Sequence, residues 1–587
     1  MSDNKNSGRE PGLEKYLFRA SAVDFKRIPG APLAYWVSDR VRHVFGIGKP
    51  IGEIAAPRKG NTTTDNNRFL RFWAEVDRSG VGLYEPDSRQ FKAGTLKWCP
   101  YNKGGGYRKW YGFNEFLVNW EFDGKEIKSI PHSVIANEQF FFRPGLTWST
   151  VTSGRFSIRR FSNGFIFDNG GCCVFGEEMT LAHLLPFMNS SVFVSLFSEI
   201  NPTLNFQSGE VAKVPFLESP DFERVGSGYS ISKMDWDSFE TSWDFTSLPL
   251  LHPDRRQPTL KASYSKLRAY WREMTLEMQR LEEGNNGIFI NAYGLQDELT
   301  PDVSLSEITL TCNPHYRYGG DKSEEELEAM LLADTMRELA SYAVGCMLGR
   351  YSLDKPGLIL ANQGETLADY LEQHRLAQMT QPRFPADDDN VIPVLDGDWF
   401  ADDITLRFRQ FLRVAFGDEH YEDNLVFIEQ ALNLKGKRNY SLREYFLSEF
   451  YTDHVKRYKK RPIYWLFSSP KGSFNALIYM HRYRPDMVSV VLRYLRDFRK
   501  KVADEKDRQA SASINPAASQ GDRTRALKET DRLNKVLAEL DDYERDVLYP
   551  KATEQIEIDL DDGVKVNYLK FGAALKKIVG LEAKDED

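Results

Sequence analysis

Apolar positions are distributed differently in the two halves of this 587-residue chain. Between residues 16 and 216 they form short stretches separated by Gly, Asn and Thr, a pattern that predicts short strands joined by long loops. The region ends in the apolar run Leu184–Ser191, which predicts a short helix, and then in a brief strand bracketed by Gly209 and Pro215. The first part of the chain is therefore expected to be an α+β domain.

From residue 263 onward, apolar positions recur at the three- and four-residue spacing of helices. Leu267 and Trp271 lie one helical turn apart in a stretch that predicts a helix over Ser263–Glu283. Ser323 and Glu326 have the spacing of a capping box and predict that a second helix begins there. Further helices are predicted at residues 400–415, 422–434, 440–453 and 485–503.

A polar stretch rich in Ala, Ser, Asn and Gln divides this helical part from the C-terminal segment, and it predicts a flexible loop. The expected class is mixed α/β, with an N-terminal α+β domain followed by a mostly α-helical C-terminal part. The assignment in chain order is a disordered N-terminus (1–15), the α+β domain (16–216), an irregular connector (217–262), a mainly helical domain (263–503), the flexible loop (504–523) and a C-terminal helical segment (524–587).

Composition excludes several classes of protein. No apolar run reaches the ~18 residues of a membrane span, and residues 1–12 lack the apolar core of a signal peptide. The five cysteines include no paired Cys-x-x-Cys motifs, so no zinc site is expected. These features predict a reduced, cytoplasmic protein without structural metal or membrane association.

Charge is unevenly distributed along the chain. The whole chain carries a net charge of −8, but residues 1–170 hold 26 Lys and Arg against 17 Asp and Glu, a net charge of +9. Binding to nucleic acid depends on local basic faces rather than on the total charge. The asymmetry is therefore compatible with an N-terminal part that faces DNA.

Four basic segments are candidate DNA contacts, because Lys and Arg suit phosphates while Arg, Asn and Thr also suit base edges. The first contains a Gly- and Thr-rich loop, with candidate residues Arg58, Lys59, Asn61, Thr62, Asn66, Asn67, Arg68 and Arg71. The second contains three consecutive glycines, with candidates Lys103, Tyr107, Arg108 and Lys109. The third alternates basic and apolar residues at strand spacing, with candidates Arg155 and Arg159. The fourth mixes basic and aromatic residues, with candidates Lys456, Lys459, Lys460 and Arg482.

Each segment also has an explanation without DNA. In the same order, these are a surface loop, a hairpin connection, a solvated strand face and a helix end beside a buried strand. The glycine-rich segment lacks the Gly-Lys-Ser/Thr ending of a phosphate-binding loop, so nucleotide binding is not expected there.

The nearest candidate for a catalytic motif is Asn313-Pro314-His315-Tyr316. Amino-methyltransferases hold the target amine with Asn/Asp-Pro-Pro and an aromatic residue at a strand end, but His315 stands where the second proline belongs. The only Gly-x-Gly after an apolar pair, Gly46-Ile47-Gly48, lacks a suitably spaced acidic partner. We therefore expect no catalytic residues, cofactor-binding residues or metal ligands in this chain.

Several stretches together carry a resemblance to known families. The segment Leu184–Phe216 resembles the closing segment of DNA target-recognition domains in Type I restriction specificity subunits. From about residue 15 to 580, the chain resembles the C-terminal half of the PglX family, the adenine-specific DNA methyltransferases of BREX phage-defence systems. The stretches that carry this second resemblance include residues 28–36, 64–71, 145–149, 343–357, 461–465 and 559–568.

The resemblance implies that residues 16–216 form a DNA target-recognition domain and that residues 263–503 support it and clamp the duplex. It also implies a partner methyltransferase domain or chain that binds S-adenosylmethionine, and contacts with other BREX proteins. The chain would then be the specificity part, a split subunit or fragment without its own cofactor domain. Two alternatives remain open: a complete adenine methyltransferase that uses Asn313-Pro314-His315-Tyr316, and a non-catalytic scaffold for protein interactions.

Overall fold

The computed structural model describes residues 37–582 except 85, 153 and 380. The predicted disordered N-terminus (1–15) and the stretch 28–36 lie outside the described residues. Within the described part, the N-terminal region contains small sheets with helices around them, and the C-terminal region is mostly helical. The predicted mixed fold class is therefore confirmed.

The strands of the N-terminal part are short, as the pattern of short apolar stretches predicts. They are β1 (Lys49–Pro50), β2 (Ala56–Arg58), β3 (Leu70–Phe72), β4 (Trp98–Asn102), β5 (Phe116–Asn119), β6 (Gly145–Trp148), β7 (Ile158–Phe161), β8 (Ile166–Phe167), β9 (Cys173–Phe175) and β10 (Pro215–Phe216). One four-stranded sheet has the order β2-β9-β6-β7, the other has β3-β5-β4-β8, and β1 pairs with β10. All pairings are antiparallel except β4 with β8.

Helices surround these sheets. They are α1 (Asp39–Ile47), α2 (Ile51–Ile54), α3 (Asn66–Phe69), α4 (Ser88–Lys92), α5 (Glu121–Ser129), α6 (Glu178–Met188), α7 (Ser191–Ile200), α8 (Ser208–Val211) and α9 (Tyr229–Trp236). The helix expected in the apolar run at residues 184–191 is present up to Met188, where α6 ends; residues 189–190 form a turn before α7 begins at Ser191. The strand expected between Gly209 and Pro215 is wrong in its bounds, because Ser208–Val211 forms a helical turn and only Pro215–Phe216 is a strand.

The C-terminal part is built on long helices. These are α10 (Leu260–Tyr293), α11 (Pro314–Tyr318), α12 (Glu324–Met347), α13 (Leu367–Leu376), α14 (Ile404–Phe416), α15 (Tyr421–Leu432), α16 (Leu442–Ser448), α17 (Phe450–Arg457), α18 (Met487–Ser513), α19 (Gln520–Tyr543), α20 (Tyr549–Glu554) and α21 (Val564–Leu569). A three-stranded antiparallel sheet of order β11-β13-β12 lies among them, with β11 (Ile392–Pro393), β12 (Tyr464–Ser468) and β13 (Asn475–Tyr479).

Local sequence explains where several of these helices begin and end. The Ser323 side chain accepts from the backbone N–H of Glu326, whose carboxylate accepts from the Ser323 N–H, so the predicted capping box is confirmed. Thr259 caps α10, which ends at Gly294 in the left-handed conformation (φ 68°).

The predicted flexible loop is wrong over most of its length. Residues 504–513 continue α18 and residues 520–523 begin α19, so only residues 514–519 connect the two helices. The two helices pack side by side and bury Val502 and Leu533. This tertiary contact stabilises the end of α18, where the polar composition had indicated a loop. The connector predicted as irregular also contains the helix α9.

Burial of apolar side chains is continuous across the two parts of the described chain. Five tryptophans are fully buried, at positions Trp98, Trp110, Trp120, Trp148 and Trp465. All five cysteines are free and buried. In the described part of the chain, no single helix is long and apolar enough to cross a membrane. The consecutive helices α6 and α7, which meet at a bend of 83°, together have the length and apolar composition of a membrane span.

Glu539 on α19 holds the turn between β12 and β13. Its carboxylate accepts hydrogen bonds from Ser469 Oγ (2.5 Å), Ser473 Oγ (2.6 Å) and the Lys471 N–H (2.7 Å). Burial by itself would raise the pKa of Glu539, but these hydrogen bonds to the carboxylate outweigh burial and lower it.

Replacing Glu539 by Ala should lower the free energy of unfolding by about 1–3 kcal/mol at neutral pH, because three donors lose their acceptor. A carboxyl with a lowered folded pKa stabilises the fold above its unfolded pKa of about 4.3, so the deficit should shrink as pH falls below that value. Urea unfolding at several pH values measures this. Glu529→Ala, a change on the same helix that removes only a pair with Arg532, is the control and should change stability by less than about 0.5 kcal/mol.

Candidate nucleic-acid interface

The C-terminal segment packs against the N-terminal sheet that contains β3 and β4. The Asp561 carboxylate receives Lys97 Nζ at 2.9 Å and the Trp98 ring N–H at 2.7 Å. The Glu75 carboxylate accepts the Val564 N–H at 2.9 Å, at the start of α21. These contacts join residues that lie more than 450 positions apart in sequence.

The C-terminal segment passes so close to Arg71 that position 563 requires a glycine. Gly563 has φ 78°, and a Cβ at this position would lie 2.7 Å from Arg71 Nε. Arg71 Nε donates to the Asp561 carbonyl at 3.0 Å, and its Nη1 donates to the Asn67 carbonyl at 2.7 Å. Arg71 therefore fixes the C-terminal segment rather than extending into solvent.

Three adjoining cavities form a depression that we call the basic cleft. Their volumes are about 560, 480 and 550 Å3. The first and middle cavities share Asn66 and Lys103, and the middle and third share Lys459 and Lys460. The basic cleft thus joins the N-terminal sheets to the segment after α17 and to the C-terminal segment.

The first cavity is lined mainly by small polar residues, including Asn61, the threonines at 62–64 and Ser149. The Asn61 amide oxygen accepts the Ala136 N–H at 3.1 Å, whereas its amide nitrogen and Ser149 Oγ are buried without a hydrogen bond among the described residues. Lys103 Nζ lies 3.2 Å from the Asp168 carboxylate, which fixes the lysine at the cavity wall. Amide and hydroxyl groups of this kind suit the edges of bases.

The middle and third cavities are predominantly basic. Two acidic residues, Glu75 and Asp562, line the middle cavity, and no acidic residue described by the structure lines the third. The basic residues that line the two cavities are Arg71, Lys103, Lys456, Lys459, Lys460, Arg461, Lys565, Lys576 and Lys577.

Lys459 and Lys460 lie at the centre of the basic cleft, where the middle and third cavities meet. Both have left-handed backbones, with φ 49° and 63°. Lys459 pairs with Glu115, and its ammonium group also lies over the Phe72 ring, 5.7 Å from the centroid. The turn after α17 therefore presents two consecutive lysines to the same depression.

The structure separates the residues predicted to face DNA into three groups. Those that line the basic cleft are Asn61, Thr62, Asn66, Asn67, Arg71, Lys103, Lys456, Lys459 and Lys460. Those partly or largely exposed that do not line these cavities are Arg58, Lys59, Arg68 and Arg155, of which Arg68 pairs with Glu126 and Arg155 with Glu307. Those buried or half-buried in the interior are Tyr107, Arg108, Lys109, Arg159 and Arg482.

The surface position predicted for Arg108 and Lys109 is wrong, because both form buried ion pairs. Arg108 Nη2 lies 2.9 Å from the Asp235 carboxylate on α9, and Lys109 Nζ lies 2.7 Å from the Glu282 carboxylate on α10. Burial would lower the pKa of Lys109, but Glu282 outweighs this effect and raises it. The glycine-rich segment therefore ends in an anchor between the two parts of the chain. Beside it, the Tyr107 carbonyl accepts from the Tyr316 hydroxyl.

Arg159 and Arg482, two further candidate DNA contacts, are also buried, so their predicted position facing DNA is wrong as well. Arg159 is 1% exposed, and its guanidinium lies over the Phe113 ring, 5.0 Å from the centroid. Burial lowers the pKa of Arg159 to about 10. Arg482 donates to backbone carbonyls, including that of Asp387 at 2.9 Å. Strand alternation was a misleading guide for Arg159, because both faces of β7 are covered here.

Asn313 acts as a helix cap in the described structure. Its amide oxygen accepts the His315 N–H at 3.2 Å at the start of α11, and its amide nitrogen donates to the carbonyls of Leu305 (2.7 Å) and Ile308 (2.8 Å). No strand precedes it within the described residues around this motif. Every polar atom of the amide is thus engaged, unlike an amide that receives a substrate amine.

Sequence reasoning missed the contribution of the C-terminal segment to the basic cleft. Lys565 Nζ lies 2.8 Å from Asn67 Oδ1, and Lys576 and Lys577 line the third cavity. Lys565 falls within a stretch that carries the family resemblance, but its distance along the chain gave no indication of this contact. Among the described residues, no group of three or more His, Cys, Asp or Glu side chains is arranged to hold a metal ion.

The sequence is similar to two methyltransferases over nearly its whole length. It is 37% identical over 579 residues to "Adenine-specific methyltransferase BrxX" of Escherichia coli O9:H4 (strain HS), which covers 95% of this chain and 46% of that protein. It is 33% identical over 595 residues to "Adenine-specific methyltransferase PglX" of Lacticaseibacillus casei (strain Zhang), which covers 98% of this chain and 47% of that protein. The chain thus spans about half the length of these curated relatives. No protein-family model matches it.

Replacing Arg108 by Ala should lower the free energy of unfolding by about 3–5 kcal/mol, because Asp235 would remain buried without its partner. Denaturant unfolding of the purified variant measures the loss. Arg155→Ala removes an exposed ion pair and is the matched control, with an expected change below about 1 kcal/mol. Equal stability of the two variants would contradict the anchoring role.

Proposed function

We propose that this chain is the DNA-binding, specificity-determining part of an adenine-N6 DNA methyltransferase of a BREX phage-defence system. In this proposal S-adenosylmethionine binds to a separate catalytic domain or chain. The observation that carries the proposal is the convergence of Lys103, Lys459, Lys460 and Lys565 on one depression from segments far apart in sequence.

The chemistry of the basic cleft supports duplex DNA as the ligand. Lysines along its middle and third cavities suit phosphate oxygens, and neutralising phosphates supplies affinity that does not depend on sequence. The Asn- and Thr-lined first cavity offers donors and acceptors of the type that distinguish base edges. A backbone-binding region and a polar reading region would thus lie side by side.

The relatives support the reaction class. Both are named adenine-specific methyltransferases, and the matched region is about half of each. The proposal therefore assigns methyl transfer to the whole assembly and DNA recognition to this chain. Other BREX proteins are the further partners that the resemblance suggests.

Two alternatives have less support. A complete enzyme that uses Asn313 would need its amide to face a substrate, whereas that amide caps α11 and binds two carbonyls. A pure protein scaffold would give no reason for the concentration of lysines around the third cavity.

Replacing Lys460 by Ala should weaken binding to all duplex sequences alike and reduce the slope of log K against log salt by about one, the contribution of one phosphate contact. Fluorescence anisotropy with two unrelated duplexes over a salt series measures both effects. Lys528→Ala, at an exposed lysine on α19 away from the basic cleft, is the control and should leave the slope unchanged. An unchanged slope in the Lys460 variant, or a loss limited to one duplex, would contradict the assigned role.

Calorimetric titration of the chain with S-adenosylmethionine should give no saturable heat, because the proposal assigns the cofactor to another domain. Addition of a catalytic chain from the same genome should create cofactor-dependent adenine methylation. Specific binding of S-adenosylmethionine by the chain alone would favour the complete enzyme instead.

A further inference from the structure

A fourth cavity of about 450 Å3, which we call the aromatic pocket, adjoins the basic cleft. It shares Lys456 and Lys459 with the cleft, and a small cavity of about 30 Å3 lies between it and the middle cavity. Its volume is within the range of about 300–1,000 Å3 that small-molecule sites occupy. The pocket is therefore large enough for a ligand that enters from the cleft.

Four aromatic side chains line the aromatic pocket, namely Phe113, Trp236, Phe239 and Tyr342. The rings of Phe113 and Trp236 meet edge to face, with centroids 5.9 Å apart. Aromatic walls of this kind bind flat rings, and stacking on them is largely indifferent to the identity of a base.

Five buried polar atoms of residues that line the pocket have no hydrogen bond among the described residues. Arg337 Nε and Asp453 Oδ2 face each other at 3.3 Å in an ion pair. The other three are Glu240 Oε2, the ring nitrogen of Trp236 and Arg317 Nη1. Glu240 is 5% exposed, and its other oxygen receives Arg457 Nη1 at 2.6 Å and Ser341 Oγ. A buried acceptor and a buried donor without partners are costly. A ligand with one donor and one acceptor on a flat ring would satisfy Glu240 Oε2 and the Trp236 ring N–H.

The charges around the pocket favour a neutral ligand. Its carboxylates are matched by basic partners in the ion pairs Arg457–Glu240, Lys459–Glu115, Arg317–Glu338, Arg337–Asp334 and Arg337–Asp453. Because these charges compensate one another, the pocket lacks the excess charge that would select an anion or a cation. A flat, neutral heterocycle with donor and acceptor groups is the chemistry that remains.

We propose that the aromatic pocket binds a nucleobase, supplied by an unpaired nucleotide of DNA held in the basic cleft. This inference rests on the proposed function, because the DNA must lie in the cleft for a base to reach the pocket. Glu240 Oε2 accepts from an amino or imino group of the base, and the Trp236 ring N–H donates to a ring nitrogen or carbonyl. A free nucleoside has the same chemistry and is the other source of such a base.

The experiment uses the whole chain and measures binding of three probes by fluorescence anisotropy and calorimetry. The probes are a short abasic single strand, the same strand with one central adenine, and adenosine. The adenine-containing strand should bind about tenfold more tightly than the abasic strand. Trp236→Phe keeps an aromatic ring but removes the N–H donor, and it should reduce this preference to about threefold or less.

A matched control comes from Trp399→Phe. This change removes the ring N–H of a partly buried tryptophan on another face, where it donates to the Asp396 carbonyl, and it should leave the tenfold preference intact. Thermal unfolding of both variants establishes that they are folded. Saturable, Trp236-dependent binding of adenosine without a preference between the strands would support the base site and assign it to free nucleosides.

Equal binding of the two strands together with no adenosine binding would overturn the inference. The same conclusion would follow if the preference were unchanged in Trp236→Phe. Duplex binding that depends on Lys460 would persist in either case, so failure of the pocket is distinguishable from failure of the proposed function. Loss of all DNA binding would instead count against the basic cleft.

Discussion

The pairing of Asp561 with Lys97 and Trp98 is the contact on which the basic cleft depends. One carboxylate accepts hydrogen bonds from the Lys97 ammonium group and from the buried indole N–H of Trp98 on β4. The Glu75 carboxylate accepts the first N–H of α21, and Gly563 allows the chain to pass close to Arg71. Together with the contacts of Glu75 with Val564 and of Arg71 with the Asp561 carbonyl, this docking fixes the lysines of the C-terminal segment relative to the N-terminal sheets, so that the separate basic segments form one surface.

Elements governed by local sequence could be predicted, and those governed by distant contacts could not. The capping box at Ser323 and the apolar spacing around Leu267 depend on neighbouring residues, and both helices are present. The polar residues around 504–513 lie on α18, because α19 covers the buried face of that helix. The residues at 504–523 do not by themselves reveal that another helix covers them, so their polar composition indicated a loop.

The same distinction applies to the candidate site. The basic–aromatic run around Lys459 was recognisable from composition, and it lies at the centre of the basic cleft. Arg108 has an equally favourable composition around it, yet it is buried because its partner Asp235 lies 127 residues further along the chain. A basic residue in a glycine-rich loop can therefore serve either the ligand or the fold, and only the position of a distant carboxylate distinguishes the two roles.

The left-handed backbones of Lys459 and Lys460 have a consequence for how the turn after α17 can be altered. A residue with a Cβ is disfavoured at such a position by about 1 kcal/mol relative to glycine. At position 459 a glycine would relieve this strain, but it would also remove the ion pair with Glu115 and the ammonium group over the Phe72 ring. The turn therefore presents its two ammonium groups at a conformational cost that glycine would not carry.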